Sequence, residues 1–128
     1  MTEIATKPTG EPVIRTIAMP ADTNPNGDIF GGWLMAQMDL AGGSAARRRA
    51  GGRVATVAVD SMAFHHPVKV GDEVSIYATI LGVGRTSIRI FIEAWRRGRD
   101  EAMNKVTSAT FVMVAIGDDG RPRPVPPE

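Results

Sequence analysis

Residues 24–43 read NPNGDIFGGWLMAQMDLAGG. A turn-forming segment rich in Asn, Asp and Gly runs through a Gly-Gly pair into a stretch of helix formers. No proline interrupts that stretch before residue 50. Its apolar residues surround the axis instead of lying on one stripe, which predicts a helix over 33–50 that is buried on most sides. Gly42 and Gly43 weaken it locally, a cost that predicts close packing against another backbone. Arg47, Arg48 and Arg49 come near its end, where cations suit the helix dipole, and the AGGR segment at 50–53 stops it.

The segments on either side read as strands. PVIRTIAM (12–19) precedes the loop and is rich in β-branched residues. RVATVAVDSMAF (53–64), EVSIYATILGV (73–83), RTSIRIFIEAWRR (85–97) and NKVTSATFVMVAI (104–116) follow the helix. Ile88, Ile90 and Ile92 alternate with Arg89 and Glu93, which is the period of a strand with one buried face. The order is one strand, one buried helix and four long antiparallel strands, an α+β arrangement. A helix that is apolar all round needs a sheet curved about it. Five twisted strands would still leave part of the helix bare, together with two sheet edges, and pairing with a second copy covers both. A homodimer at least is expected.

Composition narrows the function classes. At 128 residues the chain is expected to be a single domain burying about two-thirds of its unfolded surface. Hydrophobic residues make up 43% and charged residues 23%, a balance that suits a folded soluble domain and not a disordered one. A formal net charge of +1 argues against a dedicated nucleic-acid binder. Without cysteine there is no disulfide framework, thiolate nucleophile or thiolate metal site. The polar start MTEIATKPTGEPV does not read as a signal peptide, and no apolar run approaches the ~18 residues of a membrane span. A cytoplasmic location is expected. Loose arms are expected at about 1–10 and 118–128, the second carrying four prolines that cannot join a ladder.

Within the apolar helix stands one carboxylate, Asp39, about two turns from the start, too deep to be a cap. It reads either as a buried acid paired with an arginine for structural reasons, or as a catalytic acid or base at a cleft. Gly31 and Gly32 open the helix, so unencumbered backbone N–H groups and the positive dipole end face outward, which suits a carbonyl oxygen becoming an oxyanion. Asn24 and Asn26 could hold a carbonyl or a water, although Asn-Pro-Asn-Gly is also plain turn chemistry. VGRTS (83–87) reads as a hairpin turn or as a phosphate contact, since Arg and hydroxyl donors match phosphate oxygens. His65 and His66 are adjacent in an extended segment, with side chains expected on opposite sides, and no metal site is expected. Ser61 and Ser87 lack a nucleophile-elbow context.

Taken together, NPNGDIFGGWLMAQMDLAGG, RVATVAVDSMAF, FHHPVKVGD and VGRTSIRI resemble the YciA-type acyl-CoA thioesterases of the hotdog superfamily. The resemblance runs from about residue 12 to 124, and its specificity lies in the order and spacing of the four motifs. It implies the hotdog fold, a long helix wrapped by a five-stranded antiparallel sheet, and hydrolysis of acyl-coenzyme A to free acid and coenzyme A. It makes Asp39 the catalytic carboxylate, Asn24 a second catalytic residue, and Gly31 and Gly32 the amides that polarise the thioester carbonyl. Arg85, Thr86 and Ser87 become part of the coenzyme A site. It further implies dimers assembled as trimers of dimers, a site built across a subunit interface, and no metal or redox cofactor. The histidine pair is less typical of the family. Whether Asp39 activates water or attacks directly is left open, as are acyl length and regulation. The rivals are a non-catalytic acyl-CoA-binding sensor and a hotdog dehydratase or hydratase acting on acyl thioesters.

Overall fold

The computed structural model describes residues 7–128, so part of the expected N-terminal arm, residues 1–6, lies outside the described residues. Strand β1 spans Ile14–Ile17, and a single 3-10 turn follows at Pro20–Asp22. Helix α1 spans Gly31–Ala50, after which come β2 (Val54–Val59), β3 (Glu73–Val83), β4 (Ser87–Arg97) and β5 (Met103–Ala115). The five strands form one antiparallel sheet in the order β1-β3-β4-β5-β2, with α1 packed on its inner face.

The strand period sets the core. Ile76 of β3, Ile90 and Ile92 of β4, and Phe111 and Met113 of β5 alternate onto the inner face and are buried there. Leu34, Met38, Ala41 and Ala46 of α1 meet them in one cluster. A Cβ on Gly42 would lie 2.9 Å from Met113 Cε and would also collide with Ile92, so this glycine lets the helix settle onto sheet side chains. The packing partner expected for Gly42 and Gly43 was another backbone. Gly42 instead accommodates two side chains, and Gly43 has nothing among the described residues within 4 Å of its missing Cβ. A helix cost of about 1 kcal/mol is expected at each glycine, and the close fit onto Ile92 and Met113 accounts for it at Gly42.

The helix is not buried on most sides in a single chain. Met35, Asp39 and Leu40 are exposed, and Leu40 keeps 62% of its surface. Val57 and Val59 of the edge strand β2 are exposed as well. One apolar strip of helix and one strand edge thus lie bare together, because the sheet curls over only one side of α1.

Two segments depart from the sequence reading. The strand expected over 53–64 ends as β2 at Val59, yet the chain continues beside β5: Asp60 N donates to Thr110 O at 2.9 Å and His65 N to Val106 O at 2.8 Å. The expected loose C-terminal arm is tied down. Arg123 Nη2 donates to Ala50 O at 3.0 Å, satisfying a carbonyl at the helix end, and Val125 N donates to Arg85 O at 2.8 Å. Val125 also packs against the core. The helix itself stops at Gly51, whose φ of 68° is the left-handed conformation that a side chain disfavours.

Candidate active site

Asp39 sits on the bare strip of α1, eight residues beyond Gly31. Thr56 Oγ1 of β2 donates a hydrogen bond to Asp39 Oδ1 at 2.5 Å. Among the described residues no ion pair reaches this carboxylate, so the structural reading of an arginine-paired acid does not apply to it. The register of β2 against β5 shifts between Thr56 and Ala58, leaving Val57 as an extra residue. Such bulges re-aim neighbouring side chains. Here the bulge lies directly beside the threonine that reaches across to the helix.

Around the pair lies an open pocket of about 470 Å³ bordered by Leu40, Ser44, Arg47, Arg53 and Met113 as well. Arg47 and Arg53 form no ion pair among the described residues, so two guanidinium groups and one carboxylate share this pocket without neutralising one another. Sequence reasoning missed Thr56, Arg47 and Arg53 as residues of this site. The arginines look like helix-end and loop charges, and a threonine 17 positions from the acid carries no local signal.

Asn24 has a double role in its loop. Its Oδ1 accepts from Asn26 N at 3.0 Å and from Asp28 N at 3.1 Å, and Gly27 N closes the turn on Asn24 O. The turn reading therefore describes the oxygen of the side chain. The same two bonds fix the plane of the amide, so that Nδ2 is presented as an oriented donor. The backbone of Asn26 takes part in this turn, but no hydrogen bond of its side chain occurs among the described residues.

At the helix start, Phe30 occupies the cap position and provides no side-chain bond to the first turn. The amides of Gly31 and Gly32 are accordingly open. An aromatic ring crowds Gly31, where a Cβ would meet Phe64 Cζ at 3.3 Å, whereas a Cβ on Gly32 would make ordinary contact with Phe30 Cδ2 at 3.4 Å. Close ring approach is thus a second reason for glycine at position 31, beside access to the amides. Eight residues at about 1.5 Å each separate Gly31 from Asp39 by roughly 12 Å along the axis. One chain cannot bring both to the same carbonyl.

Arg85, Thr86 and Ser87 form the β3–β4 turn, closed by Gly84 N donating to Ser87 O at 2.8 Å. Thr86 O and Arg85 O accept from Ala115 N and Val125 N, so the backbone of this segment is structural. The Arg85 side chain is exposed and makes no ion pair among the described residues. Through the C-terminal tail the turn is joined to the helix end, which gathers Arg47, Arg48, Arg53, Arg85 and Arg123 at one pole of the molecule. Arg49, bridged to Glu128 at 3.5 Å, is the paired member of that group. His65 and His66, expected on opposite sides of an extended segment, both border one pocket at the helix start.

The model of the thioesterase superfamily matches residues 26–103, which span the helix and the strands that hold these groups. The acyl-CoA thioester hydrolase YciA of Salmonella typhimurium is 52% identical over 130 residues, covering 98% of each chain. The chain belongs to the YciA-type acyl-CoA thioester hydrolases of the thioesterase (hotdog) superfamily. Among solved structures, the hexameric broad-specificity acyl-coenzyme A thioesterase HI0827 superposes with a TM-score of 0.91 at 47% identity, covering 96% of this chain and 86% of that one. The hexameric thioesterase y2039 from Yersinia pestis gives a TM-score of 0.90 at 52% identity, over 95% of this chain and 100% of its own. These thioesterases share the hotdog fold seen here, one long helix against a curled five-stranded antiparallel sheet.

Proposed function

We propose that the protein hydrolyses the thioester of acyl-coenzyme A at a site shared by two chains. The observation that carries this reading is the position of Asp39, tethered by a hydroxyl on an uncovered apolar strip and roughly 12 Å from the open amides of its own helix start. A second copy laid against the strip covers Leu40 and the β2 edge, and brings its own helix start to the acid. Asn24 lies in the loop that leads into Gly31, so the asparagine and the amides arrive together from the partner.

In this arrangement the thioester oxygen rests on the amides of Gly31 and Gly32, with the oriented Nδ2 of Asn24 close by. Thr56 engages Oδ1 of Asp39, which leaves Oδ2 to take a proton from water as that water attacks the carbonyl carbon. The oxyanion forms against fixed N–H dipoles. Its collapse expels the thiolate of coenzyme A, which recovers the proton from Asp39. The arginine pole with Arg85, Thr86 and Ser87 faces the phosphates of the nucleotide. No metal or redox group enters this route.

Two features of relatives support the assignment. The acyl-CoA hydrolase of Staphylococcus aureus, 28% identical, has been solved as an asparagine-to-alanine variant and as an aspartate-to-alanine variant, the two positions fifteen residues apart. Asn24 and Asp39 stand fifteen apart here. HI0827 and y2039 are hexamers, and we extend a trimer of dimers to this chain. No helix among the described residues is long and apolar enough to cross a membrane, and we assign the enzyme to the cytoplasm with its substrate.

Release of free thiol from acyl-coenzyme A tests the activity, since a binding protein or a dehydratase releases none. The shared site is tested by mixing subunits. Asn24→Ala and Asp39→Ala are each expected to be inactive. In a mixed twofold dimer one cleft carries both lesions and the other neither, so random co-expression should return ~25% of the wild-type rate. Mixed dimers that form and stay at the level of the separate variants would show that both residues act within one chain.

A further inference from the structure

After the turn at Gly117 and Gly120 the chain runs back along the end of the sheet. Arg123 N donates to Ala115 O at 2.9 Å, and Val125 N donates to Arg85 O at 2.8 Å. Pro122, Pro124 and Pro126 alternate with these two donors. The segment therefore keeps the N–H groups it uses and lacks the ones that would face outward as a bare edge. The prolines also fix φ, so less chain entropy is lost when the segment is held. Arg123 is its anchor. Nε donates to Ile116 O at 3.2 Å and Nη2 to Ala50 O at 3.0 Å, so one guanidinium fork joins the chain leaving β5 to the last residue of α1. Gly52 makes room for this: a Cβ there would lie 2.9 Å from Arg123 Nη2 and push the guanidinium off Ala50 O. Farther along, Arg49 Nη1 donates to Pro126 O at 2.6 Å. Val125 thus lies between two clamps at the helix end, with its own N–H on Arg85.

We infer that Arg123 is a positioning residue for the nucleotide end of the substrate, because it holds the segment that presents Arg85. The inference rests on the coenzyme A reading of Arg85 given above. Two backbone bonds from outside steady that turn. Thr86 O accepts from Ala115 N, and Arg85 O accepts from Val125 N, so the half that carries the guanidinium depends on the anchored segment. A guanidinium on a fixed turn loses less freedom on meeting a phosphate than one on a loose turn. Arg123 has Nε and Nη2 committed to main-chain carbonyls, and it acts through Arg85 and not on the phosphate.

Steady-state kinetics of the full chain on an acyl-coenzyme A and on the matching acyl-pantetheine test this. The quantity to follow is the ratio of kcat/KM for the two substrates. Arg123→Ala should lower that ratio about two- to fivefold, through KM for acyl-coenzyme A and by no more than Arg85→Ala does. In the double variant Arg85→Ala/Arg123→Ala the ratio should equal that of Arg85→Ala alone, since nothing is left to position. Gly52→Ala should reproduce the Arg123→Ala effect, because its Cβ displaces the same guanidinium, and it should add nothing in an Arg123→Ala background. It also carries the test if Arg123→Ala does not fold. Losses that multiply in the double variant would show that Arg123 binds the substrate on its own account and would overturn the inference. An unchanged ratio in the folded single variants would overturn it too, whether activity is kept or falls equally on both substrates. If the wild type releases no thiol, or if Arg85→Ala leaves the ratio unchanged, the coenzyme A reading fails and this inference with it. An effect of Arg85→Ala without one of Arg123→Ala removes the inference alone.

Discussion

Asp39 and Asp72 are both aspartates next to apolar core, and the chain treats them in opposite ways. Asp72 is 4% exposed. Its Oδ2 accepts from Lys69 N at 2.9 Å and from Arg96 Nη1 at 3.3 Å, while its own backbone ties the 69–72 turn to Ala18. The acid is enclosed, paired with an arginine and committed to holding two chain segments together. Asp39 is exposed on a bare strip and engaged on one oxygen by one neutral hydroxyl. An acid whose acceptor sites are met by a cation and an amide is structural; one left exposed with an open oxygen is available for chemistry. The arginine-paired acid that the sequence offered as an alternative for Asp39 exists in this protein, but it is Asp72.

Breaking the structural acid should cost the most. Asp72→Ala leaves Arg96 without its counter-charge, and Arg96 Nε is already buried without a hydrogen-bond partner among the described residues. Leaving a buried charge uncompensated costs about 3–5 kcal/mol in well-buried pairs. With a fifth of the Arg96 side chain still exposed, the lower end, about 3 kcal/mol, is expected in denaturant unfolding. The folded fraction should keep wild-type kcat. Unchanged stability would remove the contrast.

Asp39→Ala should do the reverse. Turnover should fall at least about 10²-fold, the low end for a lost general base. The denaturation midpoint of the assembled enzyme should hold or rise. A folded variant with near-normal turnover would end the assignment. Next in size is the tether. Thr56→Val removes the hydroxyl but keeps the shape, and should lower kcat about tenfold with little change in KM, equivalent to about 1.4 kcal/mol of the barrier. Thr56→Ser should restore most of it. Loss in both variants alike would mean that the methyl group of Thr56, and not its hydrogen bond, matters.

The legibility of these features followed their range along the chain. Asp39 stood out because a lone charge in an apolar run is locally conspicuous, and Gly31 and Gly32 because a helix start is written in consecutive residues. The strand periods of β3, β4 and β5 were equally local. Thr56 was invisible, since its aim depends on a bulge in the pairing of β2 with β5, whose Met113 lies opposite Thr56 far along the chain. Arg123 and Val125 were read as part of a proline-rich arm because their partners, Ala50 and Arg85, lie far away in sequence. The helix looked buried on most sides because its apolar residues do go all round. Only the sheet's curl decides which of them a single chain covers, and it leaves Leu40 exposed.

The smallest effect concerns the pole opposite the helix start. Arg85 has an exposed side chain on a turn whose backbone is held by Ala115 and Val125, so its removal should leave the fold unchanged. On the proposed function, a contact between Arg85 and a phosphate of coenzyme A would be made in the ground state and the transition state alike, which would place its loss in KM and not in kcat. Because other guanidinium groups, among them Arg47 and Arg53, lie at the same pole, Arg85→Ala is expected to raise KM only about three- to fivefold, the equivalent of one exposed ion pair of up to about 1 kcal/mol. Raising the salt concentration should shrink that difference, because exposed charges are screened over about 10 Å at 0.1 M. An acyl-pantetheine substrate lacks the nucleotide and should not distinguish the variant from wild type. Equal losses on both substrates would mean that Arg85 acts through the turn it sits on, and the phosphates would then have to be met by the helix-end arginines alone.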